Sequence, residues 1–166
     1  MYKLCTTDAY TFNFKIYCGK KEDISEHGHT VDVTVKLMES LLNEGRSLYT
    51  DNFYASVKLA EYLLQNDTYL CGTLRSNRKG NAKDVCKKNL KKGEMYAMEN
   101  ANGVRVYKSL DKRPVIMLST LPQIMDELVT TGKKNRKEED IKKPQCIIDY
   151  NNAKKSADIS DQMSSY

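Results

Sequence analysis

The chain has 166 residues, 27 Lys and Arg against 22 Asp and Glu, a net charge of +5, and 40% apolar and 30% charged residues. Those values suit one soluble globular domain with a sizeable core, and the mild positive balance permits a polyanionic partner without demanding one. No stretch approaches the ~20 apolar residues that cross a bilayer, and no apolar run follows Met1-Tyr2-Lys3-Leu4 as a secretory leader needs, so the expected protein is intracellular with no membrane partner.

In chain order, 2–18 is rich in β-formers. Tyr10, Phe12, Phe14 and Ile16 alternate with Thr11, Asn13 and Lys15, which predicts a strand with one buried apolar face. Thr6-Thr7-Asp8 is the expected turn from a short strand before it. A polar loop, 19–28, follows. Val31, Val35, Met38, Leu41 and Leu42 recur at helical spacing, with Thr30 or Asp32 as cap and Gly45 as the terminal glycine. Residues 46–50 read as a short strand ending at Asp51. Residues 56–65 read as an amphipathic helix and 68–74 as another strand.

Arg75-Ser76-Asn77-Arg78-Lys79-Gly80 is a basic turn, followed by a lysine-rich stretch to Lys92. Residues 95–98, 104–109 and 114–119 read as three strands. Residues 130–143 are charged and poor in apolar side chains, and read as a mobile linker. Pro144 suits the first turn of a final helix carrying Ile147, Ile148 and Tyr150, with a further turn holding Asp158 and Asp161. The order predicts a mixed α/β fold with at least one βαβ passage and a β-rich segment before the last helix.

Several chemistries are weakly supported. The five cysteines (Cys5, Cys18, Cys71, Cys86 and Cys146) form no Cys-x-x-Cys pair, and read as small buried residues of a reducing compartment. His27 and His29 flank Gly28 without further zinc ligands at a suitable spacing, and read as solvent-exposed. Asp149 reads as a surface acid. Taken alone, Asp51 is an ordinary helix N-terminal acid, and Asp158 and Asp161 are a solvated helical face. No glycine-rich phosphate loop or G-x-S-x-G elbow is present.

Longer strings change that reading. Asp51-Asn52-Phe53-Tyr54 with Ser56 resembles the second acidic motif of piggyBac-type transposases. Gly72-Thr73-Leu74-Arg75-Ser76-Asn77 is similar to the strand and basic turn that follow it in that family. Lys143-Pro144-Gln145, Tyr150-Asn151, Asp158 and Asp161-Gln162-Met163 resemble its last acidic segment. Tyr2-Lys3-Leu4-Cys5, Tyr10 and Tyr17-Cys18-Gly19 resemble the segment around its first acid. The matches are collinear over nearly the whole chain.

The resemblance implies an RNase H-like mixed sheet flanked by helices, with residues 1–166 as one DDE-type catalytic core truncated at both ends. It implies metal-dependent DNA strand cleavage and transfer, with three carboxylates holding two Mg²⁺ (or Mn²⁺) ions. It also implies DNA as partner, a nuclear location, and a homodimer formed through regions missing from this chain. Carried over by position, Asp51 and Asp158 are catalytic metal ligands and Asp161 is a supporting acid. Arg75, Arg78 and Lys79 are candidates for the DNA backbone.

The first acid departs from the pattern. The family places it directly after the Leu-Cys pair, where this chain has Thr6; the nearest acid is Asp8. Residues 6 and 8 of an extended strand lie ~6–7 Å apart, whereas magnesium–oxygen contacts span only ~2.0–2.1 Å. Asp8 can serve as the third catalytic ligand only if a bulge or turn draws it back. Otherwise cleavage is impaired. The alternative is a non-catalytic DNA- or chromatin-binding remnant of a domesticated transposase. A second departure is Ser156-Ala157, where the family usually has Gly-Val.

Overall fold

The computed structural model describes residues 1–19, 27–122, 128–134, 138 and 140–163. A hairpin opens the chain: β1 (Tyr2–Cys5) pairs antiparallel with β2 (Thr11–Lys15). Helix α1 (His29–Met38) follows, then β3 (Ser47–Thr50), α2 (Val57–Gln65), β4 (Tyr69–Thr73) and the short α3 (Lys83–Lys87). Strands β5 (Met95–Glu99), β6 (Arg105–Leu110) and β7 (Pro114–Ser119) form a meander, and β8 (Leu128–Lys134), β9 (Asp140–Pro144) and α4 (Gln145–Met163) close the order.

The central sheet runs β3-β4-β7-β6-β5, with β3 and β4 parallel and the remaining pairs antiparallel. The parallel pair is the expected βαβ passage, with α2 as its crossover. Ser56 starts that helix, its hydroxyl accepting from the Leu59 amide at 3.2 Å, which answers one of the orphan donors of a helix N-terminus.

Strand alternation builds two cores. Leu48, Leu70, Val106 and Leu118 face α2, where Leu59, Ala60 and Leu63 are buried. The neighbouring residues Cys71, Tyr107 and Met117 face the opposite side and pack against Cys146, Ile147 and Tyr150 of α4. Period-two side-chain direction therefore places α2 and α4 on opposite faces of one sheet.

The mixed α/β class and the β-rich segment before the last helix are as the sequence predicts. Three local expectations are overturned. Tyr10, Phe12, Phe14 and Ile16 are exposed, not buried. The polar side of β2 is the one engaged: Asn13 Nδ2 donates to the Leu37 carbonyl at 3.1 Å, and the Thr11 hydroxyl lies 2.9 Å from that of Ser160. In the expected linker at 130–143, of which 135–137 and 139 lie outside the described residues, the described residues instead pair β8 with β9 antiparallel, and Thr131 Oγ1 donates to the Ile141 carbonyl at 2.8 Å. The final helix and the further turn are one continuous α4.

Smaller differences follow the same logic of burial. Among the cysteines, only Cys71 and Cys146 are buried. His29 is half-buried at the start of α1, with its Nε2 3.0 Å from the Tyr2 hydroxyl, while His27 is exposed. Asp149 is half-buried and accepts from Gln145 Nε2 at 2.8 Å. Among the described residues no helix is long and apolar enough to cross a membrane.

Candidate functional site

A cleft of about 710 Å³ lies between the β1–β2 hairpin and the free edge of β3. Helix α1 contributes Leu37 and Met38 to its walls, and α4 contributes Ala153 and Ala157. Thr6, Asp51, Asp158 and Asp161 all line it; Asp8 does not. Two acids remote in sequence thus meet one cleft because β3 ends where α4 crosses the sheet.

Asp51 follows the last residue of β3. One of its carboxylate oxygens accepts from the Phe53 amide at 3.0 Å, and its carbonyl accepts from the Ala55 amide at 3.0 Å. The Asp51 side chain is exposed and lines the cleft. Beneath it, β3 and β4 approach closely. A Cβ on Gly72 would lie 2.7 Å from Thr50 Oγ1 and would also strike the Thr50 carbonyl. Glycine is what lets the parallel strands meet at the acid.

The basic turn after β4 grips this loop. Arg75 Nε donates to Asn52 Oδ1 at 3.1 Å, and Arg78 donates to the carbonyls of Asn52, at 3.4 Å, and Phe53. Lys79 is exposed and makes no hydrogen bond or ion pair among the described residues. Of the three cations proposed for DNA, two are thus already engaged with the acid-bearing loop.

Tyr54 joins the two sides of the cleft. Its ring meets Tyr2 edge-on at 6.2 Å and Phe53 at 5.0 Å. Burial pushes its hydroxyl up to about 12, helped by the negative charge of Asp51 and by Tyr2.

On the other side, α4 is tied to the hairpin by its serines. Ser156 Oγ donates to the Thr7 carbonyl at 2.6 Å, and Ser160 meets Thr11. These residues are one turn apart on one helix face. Ser156, a departure from the family pattern, is therefore a structural tie ahead of Asp158. Asp158 itself is exposed and makes no hydrogen bond or ion pair among the described residues. Asp161 is paired with Lys3 at 3.0 Å.

Thr6 lines the cleft, and its hydroxyl donates to the Asp8 carboxylate, with the Tyr10 carbonyl 3.2 Å away. The Ala9 amide donates to the Thr6 carbonyl at 3.1 Å, and Ala9 takes φ 68°, closing a turn with Asp8 at its tip. The Thr6 hydroxyl, aided by backbone amides, holds the Asp8 carboxyl below its usual range. The hairpin does contain an irregularity, since Leu4 pairs with Asn13 and Cys5 with Thr11. The extra residue is Phe12 on β2, so the bulge does not draw Asp8 inward.

The donor set does not fit a three-carboxylate metal centre. Among the described residues no three His, Cys, Asp or Glu side chains come together in a way that could hold an ion. Tyr2, Lys3 and Tyr54 stand inside the strings that carry the resemblance with no role of their own assigned by it, and Ser160 lies outside those strings; Lys3 and Tyr54 line the cleft, and Tyr2 and Ser160 support it.

A mixed sheet with acids at a strand end and on a crossing helix is the framework of a DDE-type transposase core. A family model described as Transposase IS4, of the DDE type, matches residues 1–166, and the chain belongs to that family. Such transposases generally use divalent metal ions. A solved structure of piggyBac transposase, in a synaptic complex with hairpin DNA studied by cryo-EM, is similar with a TM-score of 0.76 and 23% identity. The match covers 95% of this chain and 32% of that one, so the chain spans about a third of the length of that transposase.

Proposed function

We propose that this protein is a piggyBac-like, transposase-derived domain that acts on DNA in the nucleus, and that its strand-cleavage and transfer activity is impaired. The observation that carries the reading is the uneven delivery of acids. Asp51 and Asp158 line one cleft, but Thr6 occupies the place of the first acid and Asp8 sits outside. Magnesium or manganese is the ion such a cleft would take, with Asp51 and Asp158 as its holders. Two carboxylates without a third hold such an ion weakly. Arg75, Arg78 and Lys79 are the candidate DNA-backbone contacts, and pairing of two copies belongs to transposase regions that this chain does not span.

A second reading is favoured by the ion pair that occupies Asp161: a non-catalytic DNA- or chromatin-binding remnant. One pair of variants separates the two. Thr6→Asp restores the first acid, and Asp8→Asn removes the like charge that would otherwise crowd it. The double variant, given a fluorescent DNA end and Mn²⁺, is expected to cleave at least about tenfold faster than the wild type, with the product lost on Asp51→Ala; a tenfold rate difference is a barrier change of about 1.4 kcal/mol. A folded double variant that yields no product, even with Lys3→Gln added, retires the impaired-enzyme reading and leaves the remnant. DNA affinity should fall as salt rises, by the release of counterions. A flat salt response would sink both.

A further inference from the structure

We infer that the Lys3 ammonium is a built-in cation of the cleft, standing where a divalent ion would need to approach the acids of α4. The inference rests on reading this cleft as the transposase site. Lys3 sits in β1, its side chain is only 13% exposed, and its Nζ donates to Asp161 Oδ1 at 3.0 Å. Lysines this enclosed are retained where a carboxylate answers their charge. Asp161 is 72% exposed at the cleft mouth, so the enclosure belongs to the cation and not to the acid.

The pairing is held in register. Ser156 and Ser160, on the same turn-to-turn stripe, bond the hairpin at 2.6 and 2.9 Å. With α4 fixed to the turn after β1 and to β2 in this way, Lys3 faces Asp161 by construction of the fold. Asp158 lies one turn earlier on the helix, within the neighbour spacing of a helical surface. An ion bound to Asp161 would lie on the order of 5 Å from the ammonium, from the 3.0 Å pair distance plus an ion–oxygen contact of about 2 Å. Like charges at that separation disfavour each other by roughly one to three powers of ten. The ammonium thus answers one of the two charges of the acidic wall and makes ion uptake at Asp161 unfavourable, without any need to remove Asp158 or Asp161.

The experiment is Mn²⁺ binding by titration calorimetry and electron paramagnetic resonance on the wild type, Lys3→Gln and Lys3→Arg. Lys3→Gln should bind Mn²⁺ about tenfold more tightly, following the lower end of that range. Lys3→Arg, which keeps the charge, should match the wild type. Adding Asp161→Asn to Lys3→Gln should abolish the gain, because the ion that gains is the one held by the acid Lys3 now pairs. Should Lys3→Gln fail to fold, judged by thermal unfolding, Lys3→Met keeps the aliphatic stem against the cleft wall and replaces it. Unchanged Mn²⁺ affinity in the folded neutral variant overturns the inference, as does a gain that persists without Asp161. The readout is ion binding, so a failure of DNA cleavage bears on the preceding proposal alone.

Discussion

The β3–α2–β4 unit and the β1–β2 hairpin each carry one side of the cleft, and they are built very differently. In the first, Leu59, Ala60, Leu63 and Leu70 are fully buried, and two arginines hold the loop that presents Asp51. In the second, the aromatic side of β2 faces out, with Tyr10 66% exposed, β2 is held by polar contacts, and only β1 lends apolar ones through Leu4 and the Tyr2 ring. An acid placed by a packed core cannot drift without loss of the fold. An acid placed by a hairpin turn can: substituting Thr6 for it costs the site a ligand while leaving the core intact.

The sharpest way to break this comparison is to compare deletions on the two sides. Leu63→Ala removes a fully buried side chain from α2 and should destabilise by about 2–5 kcal/mol in urea unfolding. Phe14→Ser, at a side chain 55% exposed, should stay within about 0.5 kcal/mol. Equal losses would mean that the aromatic side of β2 is packed in solution, and the contrast between the two regions would fail.

Arg78→Ala tests the hold on the acid-bearing loop. It removes donors to the carbonyls of Asn52 and Phe53, and the expected loss is about 1 kcal/mol. Amide hydrogen exchange over 51–54 should quicken, while exchange in α2 should not change beyond the global loss. Lys79→Ala should leave exchange unaltered and, if it contacts DNA, lower the salt slope of binding by about one. Undisturbed exchange at 52–54 in Arg78→Ala would remove the bracing role.

The same contrast explains what was legible in the sequence. The βαβ passage was readable because Leu59, Ala60 and Leu63 recur at helical spacing between two short strands. Strand β7 was readable from Pro114 to Ser119. The outward face of β2 was misread, since alternation reports two faces but not which one is covered. The β8–β9 hairpin was missed because its lysines and threonines carry no apolar alternation, and its pairing is set by register. At the site, Asp51 and Asp158 were found through a family resemblance, not through spacing. Lys3 and the Ser156–Ser160 stripe were invisible because their meaning depends on where α4 lies against the hairpin.

The smallest expected effect is a pH dependence at the seam between the two regions. Tyr54 is pushed up to about 12, first by burial and then by the charge of Asp51, whereas an unfolded tyrosine ionises near 10. Its contribution to stability is therefore complete below pH ~10 and is lost as the pH rises through the folded value, because the unfolded chain gives up that proton first. Tyr54→Phe should make the decline in urea-unfolding stability above pH ~10 shallower. Some slope should remain, since burial and the charge of Asp149 also raise Tyr49. Asp51→Asn, by removing one of the named causes, should lower the Tyr54 midpoint in an ultraviolet titration while leaving the burial contribution in place. If Tyr54→Phe and the wild type declined in parallel, the tyrosine would be hydrated in solution and the aromatic link from Tyr2 to the Asp51 loop would not hold the cleft walls together.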